Sequence, residues 1–120
     1  MSIITLCLVG LVAVEHIYIL IIEMFYWNKP YGRRMFGLKE GFANESKVLA
    51  ANQGLYNGFL AVGLFWGMFH PNEAFGTQIQ TFFLGCVLVA AIYGGLSAKK
   101  SIIITQGLPA LLAMLSVILL

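Results

Sequence analysis

The most regular feature of the sequence is the alternation of long apolar runs with short polar connections. The apolar runs extend over about 3–27, 46–69, 77–98 and 101–120. Each is close to the roughly 20 residues that an α-helix needs to cross the hydrocarbon core of a bilayer. The pattern therefore predicts an all-α, polytopic membrane protein, a bundle of four transmembrane helices that forms one transmembrane domain over 1–120.

The amino-acid composition supports this class. The chain has 120 residues, of which 60% are hydrophobic and only 10% are charged, whereas soluble domains carry about 25% charged residues. Lipid is a favourable solvent for this excess of apolar side chains. Helices also satisfy the hydrogen bonds of their own backbone groups there. No lysine or arginine precedes the first run, and Glu15 and His16 interrupt it. We therefore expect it to stay in the protein rather than to be removed as a signal peptide.

The basic residues are distributed unevenly among the three connections. All seven lysines and arginines lie in or beside the first connection, 28–45, and the third, at 99–100, while the second, 70–76, has none. The positive-inside rule places connections rich in lysine and arginine in the cytoplasm. The sequence therefore predicts a cytoplasmic loop over 28–45 and both termini on the non-cytoplasmic side.

Small residues recur at four-residue spacing in two of the runs. Helices in lipid approach one another closely where small side chains line a face. We expect two such faces to be contacts inside the bundle, and the alternative for Gly54 and Gly58 is a GxxxG face for homodimerisation. The two faces consist of Ala50, Gly54 and Gly58 in the second run and Ala90, Gly94 and Ala98, with Ala91 and Gly95 beside them, in the third.

Polar side chains within the apolar runs are the candidate functional residues, because they are costly in hydrocarbon. With a helical rise of about 1.5 Å per residue, Glu23 lies roughly 5 Å from the cytoplasmic end of its run and His16 lies about 15 Å in. Polar groups from all four runs fall in the same half of the membrane. We predict that they line a pocket for a substrate or an ion, formed by His16, Glu23, Asn52, Gln53, Asn57, Tyr93 and Gln106.

Two interpretations of these residues remain open. As titratable groups, Glu23 and His16 would bind a cation, relay protons or act as acid and base. In the structural interpretation, the amides hydrogen-bond between helices and Glu23 pairs with Arg33 or Arg34 at the interface. Glu15, Arg33 and Arg34 are secondary candidates. The two arginines would either clamp an anionic substrate or anchor the loop near lipid phosphates.

Other chemistry finds little support in the sequence. One histidine and carboxylates seven residues apart match no standard metal motif, so we expect no metal and no cofactor. Cys7 and Cys86 fall inside apolar runs and are expected to be small buried residues rather than a redox pair. His70, in the second connection, is expected to be solvated. The net charge of +2 does not favour nucleic acid as a partner.

Several motifs together resemble those of one protein family. They are Glu15-His16, Glu23-Met24-Phe25, Gly32-Arg33-Arg34, the run KVLAANQGLYNGFL over 47–60, and Gln106-Gly107-Leu108-Pro109. The chain resembles a family of small bacterial and fungal membrane proteins known only as domain of unknown function 1304. The resemblance implies the four-span fold, here in the bacterial cytoplasmic membrane, but no activity. It also implies that six of the pocket candidates are family features, namely His16, Glu23, Asn52, Gln53, Asn57 and Gln106.

Three classes of function remain. The first is a small-solute or proton-coupled carrier, which in a chain this small would need a homo-oligomer to complete its pathway. The second is a membrane enzyme that acts on a lipid-soluble substrate with Glu23 and His16 as acid and base. The third is a structural or regulatory membrane subunit. The expected partners are the lipid bilayer, further copies of the chain and a small-molecule ligand.

Overall fold

The computed structural model describes residues 1–120 and contains only helices and the connections between them. The predicted all-α class is therefore confirmed. In chain order the elements are α1 (Ile3–Ile21), a first π-helical segment (Ile22–Tyr26), α2 (Pro30–Phe36), α3 (Glu40–Met68), α4 (Glu73–Ser97), a second π-helical segment (Ile103–Gly107) and α5 (Leu108–Leu119).

Three helical stretches are long and apolar enough to cross a membrane. They are Ile3–Tyr26, Glu40–Met68 and Glu73–Ser97, with 24, 29 and 25 residues, against the roughly 20 that a crossing requires. A further apolar helical stretch, Ile103–Leu119, is shorter. The apolar helices indicate a membrane protein, and the count of four spans stays a prediction.

The connection predicted over 28–45 is largely helical, which corrects its boundary. Pro30 begins α2, where its fixed φ suits the first turn of a helix, and Gly37 ends this helix with a φ of 66°, the left-handed conformation typical of glycine at a helix end. The third helix then begins at Glu40, not near 46. Hydropathy predicts only the part of a helix that suits hydrocarbon. The helix itself can begin earlier, with first turns that are polar.

Two compact units divide the chain. One consists of Met1–Val14 together with Leu60–Leu120, and the other of Glu15–Phe59; they are called the terminal unit and the central unit below. The core of the terminal unit is built from small and medium-sized apolar side chains on four helices. Its buried members are Val9, Val12, Ala13, Leu64, Leu84, Val87, Ala110 and Ala113.

Small residues on α4 form a contact within the terminal unit, but the face is not quite the one predicted. A Cβ atom on Gly95 would overlap the side chain of Ile103, and Ala91 is buried. Ala90 and Ala98, which the prediction placed on the contact face, are exposed. The predicted contact inside the bundle is confirmed at Ala91 and Gly95 and is wrong at Ala90 and Ala98, because four-residue spacing gives the period of a face and not its direction.

Small residues on α3 form a contact within the central unit, as predicted. A Cβ atom on Gly54 would lie 2.9 Å from Met24 Cγ and 3.0 Å from Glu23 Cβ. One on Gly58 would lie 2.5 Å from Leu20 Cδ1. The prediction of internal packing is confirmed, and the alternative of a free dimerisation face at Gly54 and Gly58 is wrong.

Candidate functional site

The central unit contains a buried carboxyl group bound by an amide from a neighbouring helix. Glu23 is only 5% exposed. The Nδ2 atom of Asn57 donates a hydrogen bond to Glu23 Oε1 at 2.7 Å and also reaches the backbone oxygen of Gln53 at 3.3 Å. Two residues predicted for the same pocket are therefore in direct contact.

Local sequence explains why these two side chains meet. Asn57 follows Gly54 by three residues on α3, so the two lie on neighbouring positions of one face. The missing side chain at Gly54 leaves room for Glu23 and Met24. Glu23 is the second residue of the first π-helical segment. An extra residue in a turn rotates the following side chains by about 100° relative to regular α-helix, and π-helical turns occur frequently at functional sites.

Two more titratable side chains lie on the same helix of the central unit. His16 is 1% exposed and precedes Glu23 by seven residues, which is two helical turns. Glu15 is partly buried, and its Oε1 atom is shielded from solvent without a hydrogen-bond partner. A buried polar atom that lacks a partner is costly. The α1 side of the central unit thus carries three titratable groups, at Glu15, His16 and Glu23.

The two arginines of α2 contact residues other than Glu23, the partner that the structural interpretation gave them. Arg33 Nη1 lies 3.7 Å from Glu40 Oε2, and the guanidinium carbon of Arg34 lies 5.9 Å from the ring centroid of Tyr31. The latter distance suits a cation–π contact. The interpretation in which Glu23 pairs with Arg33 or Arg34 is therefore wrong, since Asn57 takes that place.

The remaining predicted residues have more open surroundings. Asn52 and Gln53 are exposed on α3, so their side chains do not contribute to the buried contact between Glu23 and Asn57. Tyr93, in the terminal unit, is 72% exposed on α4. Gln106 is half-buried and lies in the second π-helical segment. That all of these side chains share one pocket stays a prediction.

A second polar site, which the sequence reasoning did not identify, lies in the terminal unit. Gln80 on α4 is 3% exposed, and its Nε2 atom donates to the backbone oxygens of Gly67 and Gly76, both at 3.1 Å. Its Oε1 atom is buried without a partner. The signal was present in the sequence, because a glutamine near the start of the apolar run 77–98 is as costly in lipid as the amides of α3.

Gln80 lines a cavity of about 520 Å³ within the terminal unit. His70 also lines it, half-buried, and its Nδ1 atom accepts the backbone N–H of Asn72 at 3.0 Å. His70 is therefore partly enclosed, and its solvation stays a prediction. The lining comprises Met1, Ser2, Thr5, Gly67, Met68, His70, Glu73, Ala74, Thr77, Gln80, Val117 and Leu120.

The structure offers no grouping of side chains suited to a metal. No set of three or more histidine, cysteine, aspartate or glutamate side chains is close enough to hold one. Both cysteines are free, and Cys7 is exposed, so the expectation that both are buried is wrong. Cys7 can be exposed because a small apolar side chain is as favourable in contact with lipid as in the protein interior.

Comparison with known proteins decides the family. The family described as "Protein of unknown function (DUF1304)" matches residues 10–118. The chain belongs to this family. It is also 36% identical, over 118 residues, to "Uncharacterized protein YpaA" of Lactococcus lactis subsp. lactis (strain IL1403), covering 97% of this chain and 98% of that protein. No solved structure matches the chain. The match includes Glu23, Asn57 and eight of the twelve residues that line the cavity.

Proposed function

We propose that this DUF1304 chain is a proton-coupled carrier of a small solute in the bacterial cytoplasmic membrane. The observation that carries the proposal is the carboxyl group of Glu23, buried among apolar helices and bound by Asn57. Ionisable residues inside membrane helices are rare, and they commonly mark ion pathways and proton relays. A carboxyl group in this position would take up and release the coupling proton.

The proposal includes four membrane crossings with both termini outside. The shorter apolar stretch Ile103–Leu119 has 17 residues, which extend over about 26 Å and reach the lower limit for a crossing helix. All seven basic residues flank the first and third connections. The positive-inside rule then favours a cytoplasmic side for both connections, and the whole chain forms a single transmembrane domain.

The chemistry of the Glu23–Asn57 pair suits reversible protonation. The ionised carboxylate accepts the amide hydrogen of Asn57, and the protonated carboxyl group still has an oxygen that accepts it. Asn57 therefore holds Glu23 in both states. Because Glu23 Cβ packs closely against Gly54, a change in how this side chain packs would alter this helix contact within the central unit.

His16 supplies a second titratable group along the same helix. Seven residues of α-helix separate its Cα from that of Glu23 by roughly 10 Å along the axis. This distance is too long for direct proton transfer, so we propose that His16 is a separate proton-binding group along the pathway. Glu15, whose Oε1 atom has no hydrogen-bond partner, is the third titratable group of the proposed pathway.

Self-association is part of the proposal. Asn52 and Gln53 are exposed within a candidate span, and amides that face hydrocarbon without a hydrogen bond are costly. A second copy of the chain would supply partners, since amides hydrogen-bond between membrane helices. We expect the double variant Asn52→Leu/Gln53→Leu to weaken self-association, as measured by energy transfer between labelled copies in liposomes.

Flux measurements in proteoliposomes test the proposed function. Wild type, Glu23→Gln, His16→Ala and Glu45→Gln are reconstituted with a trapped pH-sensitive dye, and proton uptake is followed under imposed proton, sodium and potassium gradients. Glu45→Gln is the matched control, because Glu45 is exposed near the start of α3. We expect Glu23→Gln and His16→Ala to lose the proton flux that wild type and the control retain.

Two results would overturn the carrier proposal. One is equal proton flux through wild type and Glu23→Gln. The other is the absence of flux under every gradient from protein that circular dichroism shows to be folded. Either result would turn attention to the enzyme and the structural subunit as the competing functions.

A further inference from the structure

We infer that the outer face of α2 binds the headgroup phosphate of an anionic phospholipid, with the guanidinium group of Arg34 as the main ligand. This face belongs to the central unit, but it contains neither member of the Glu23–Asn57 contact. The inference rests on the membrane character of the chain and not on the proposed carrier function. It also separates Arg34 from Arg33, which the sequence alone left equivalent.

The short helix α2 is held beside the end of the first apolar helical stretch. A Cβ atom on Gly32 would overlap the backbone of Tyr26, so α2 touches the first π-helical segment directly. The hydroxyl groups of Tyr31 and Tyr18 are hydrogen-bonded to each other. Tyr18 precedes Tyr26 by eight residues, about 12 Å along the helix axis, so the side chain of Tyr31 extends beside the apolar helix. These contacts place α2 at the boundary between hydrocarbon and headgroups, where tyrosines are enriched.

The two faces of α2 differ in their chemistry. Gly32 and Phe36 lie four residues apart on the inner face, where the first is buried and the second is half-buried. The exposed residues of the outer face are Tyr31, Arg34 and Met35. Basic and apolar side chains together are typical of a helix that lies in the interface of a membrane with anionic lipids.

Arg34 is held in position and has no partner for its charge within the chain. Its guanidinium carbon lies 5.9 Å from the ring centroid of Tyr31, whose hydroxyl group is itself bound. No carboxylate forms an ion pair with Arg34. Arg33 differs, since its Nη1 atom lies 3.7 Å from Glu40 Oε2 and its Nε atom is buried. Arg34 is therefore the arginine that an external anion can reach.

A phosphate group suits both this guanidinium group and the charge around it. The planar guanidinium fork donates two parallel hydrogen bonds to two oxygens of one anion. The segment 28–47 contains five basic and two acidic residues, so Glu40 and Glu45 do not neutralise it. An anionic ligand would therefore gain attraction from the whole segment in addition to its direct bonds with Arg34.

Exposed apolar side chains beside Arg34 favour a phospholipid over a soluble phosphate ester. Tyr31 and Met35 are on the same face as Arg34 and are 42% and 43% exposed, and Phe25, at the end of the adjoining helical stretch, is 62% exposed. Acyl chains would cover such surface favourably, whereas a soluble ester would not. A zwitterionic headgroup has a cation of its own, which the basic segment would repel. The ligand that fits is an anionic phospholipid.

Quenching of Trp27 in the full-length chain tests the inference. The ring of Trp27 lies against Phe36 of α2, with ring centroids 5.1 Å apart, so its fluorescence reports lipid near α2. The other tryptophan is removed by Trp66→Phe, at a position that is 58% exposed. The chain is titrated in dodecyl maltoside micelles with phosphatidylglycerol or phosphatidylcholine, each brominated near the top of its acyl chains. We expect half-maximal quenching at about fivefold less phosphatidylglycerol, the factor that one basic residue contributes near an anionic surface.

Three variants distinguish a site at Arg34 from general attraction to basic residues. Arg34→Gln should bring the two lipids close to equal quenching. Arg34→Lys keeps the charge but loses the planar fork and its contact with Tyr31, so it should lose most of the preference as well. Lys39→Gln is the matched control, because it removes one positive charge from an exposed side chain outside α2, and it should keep the preference. Since Arg34 and Lys39 are both exposed, we expect all three variants to fold, which circular dichroism checks.

Three outcomes would overturn the inference. Equal quenching of wild type by the two lipids would show that α2 does not select an anionic headgroup. A preference undiminished in Arg34→Gln or Arg34→Lys, or lost equally in Lys39→Gln, would show a diffuse attraction without a site. Displacement of brominated phosphatidylglycerol by millimolar glycerol phosphate, which has no acyl chains, would show a soluble ester as the ligand. Because the assay measures no transport, these outcomes do not bear on the carrier proposal, and a failed flux experiment does not bear on this one.

Discussion

Glu23 in the central unit and Gln80 in the terminal unit are both buried polar side chains beside a close helix contact, but their hydrogen bonds go to different kinds of partner. Glu23 accepts from a side chain, Asn57. Gln80 donates to the backbone of two helices, at Gly67 and Gly76. Backbone carbonyls have fixed positions, whereas a side-chain amide can follow a carboxyl group through a change of protonation.

The two contacts also rest on different parts of the chain. The contact near Gln80 rests on backbone: a Cβ atom on Gly76 would lie 2.5 Å from the oxygen of Gly67. The contact near Glu23 rests on side chains, since the nearest atom to a Cβ on Gly54 is Met24 Cγ. We therefore expect changes at the Gln80 site to appear first in stability, and changes at the Glu23 site to appear first in activity.

The largest expected effect is that of Gly76→Ala. The added Cβ has no room unless α3 and α4 move apart, so we expect the free energy of unfolding to fall by about 3 kcal/mol, the upper end of the usual cost of overpacking. Equilibrium unfolding in mixed micelles, followed by circular dichroism, measures it. Gly41→Ala is the control, because nothing lies within 4 Å of a Cβ there. Equal stability of the two variants would contradict a backbone contact.

Gln80→Leu should have the next largest effect. It leaves the oxygen of Gly67 without the amide donor, and a buried polar group deprived of its partner costs about 2 kcal/mol. The same unfolding measurement applies, with Gln78→Leu as the exposed control on α4. A loss of stability as large for Gln78→Leu would mean that apolar substitution itself, and not the lost bonds, is responsible.

Asn57→Leu should lower stability by only about 1 kcal/mol, because Asn57 is half-buried and its loss leaves Glu23 without its donor. Glu23→Gln should be close to neutral in stability, since the amide oxygen still accepts from Asn57. A double-mutant cycle measures the coupling of the pair. Zero coupling would contradict a direct interaction between Glu23 and Asn57. So would a loss of stability in Asn52→Leu, at an exposed position of α3, as large as that in Asn57→Leu.

The smallest expected effect is that of Tyr93→Phe. Tyr93 is 72% exposed, and surface substitutions away from special features usually change stability by less than about 0.5 kcal/mol. We expect stability to be unchanged in micelles and proton flux to be unchanged in liposomes. A large loss of flux from a stable variant would restore Tyr93 to the site predicted from the sequence.

Part of the candidate site was predictable from single residues. Glu23 and Asn57 stand out as polar side chains in apolar runs, and the cost of such groups in lipid predicts that they find partners. Which partner each finds was not predictable. Charge alone favoured Arg33 or Arg34 as the partner of Glu23. The structure instead places Asn57 there, because Gly54 lets the two helices approach.

The sequence by itself determined the all-α class, the apolar helices and the uneven distribution of basic residues, because length and hydropathy reflect the demands of the solvent directly. Only the tertiary structure decided the rotation of each helix, the two π-helical segments and the cavity beside Gln80. The physical reason is that lipid and protein interior are both apolar. The periodic contrast that orients a helix in a soluble protein is therefore weak here, and the direction of each face depends on small residues and hydrogen bonds between helices.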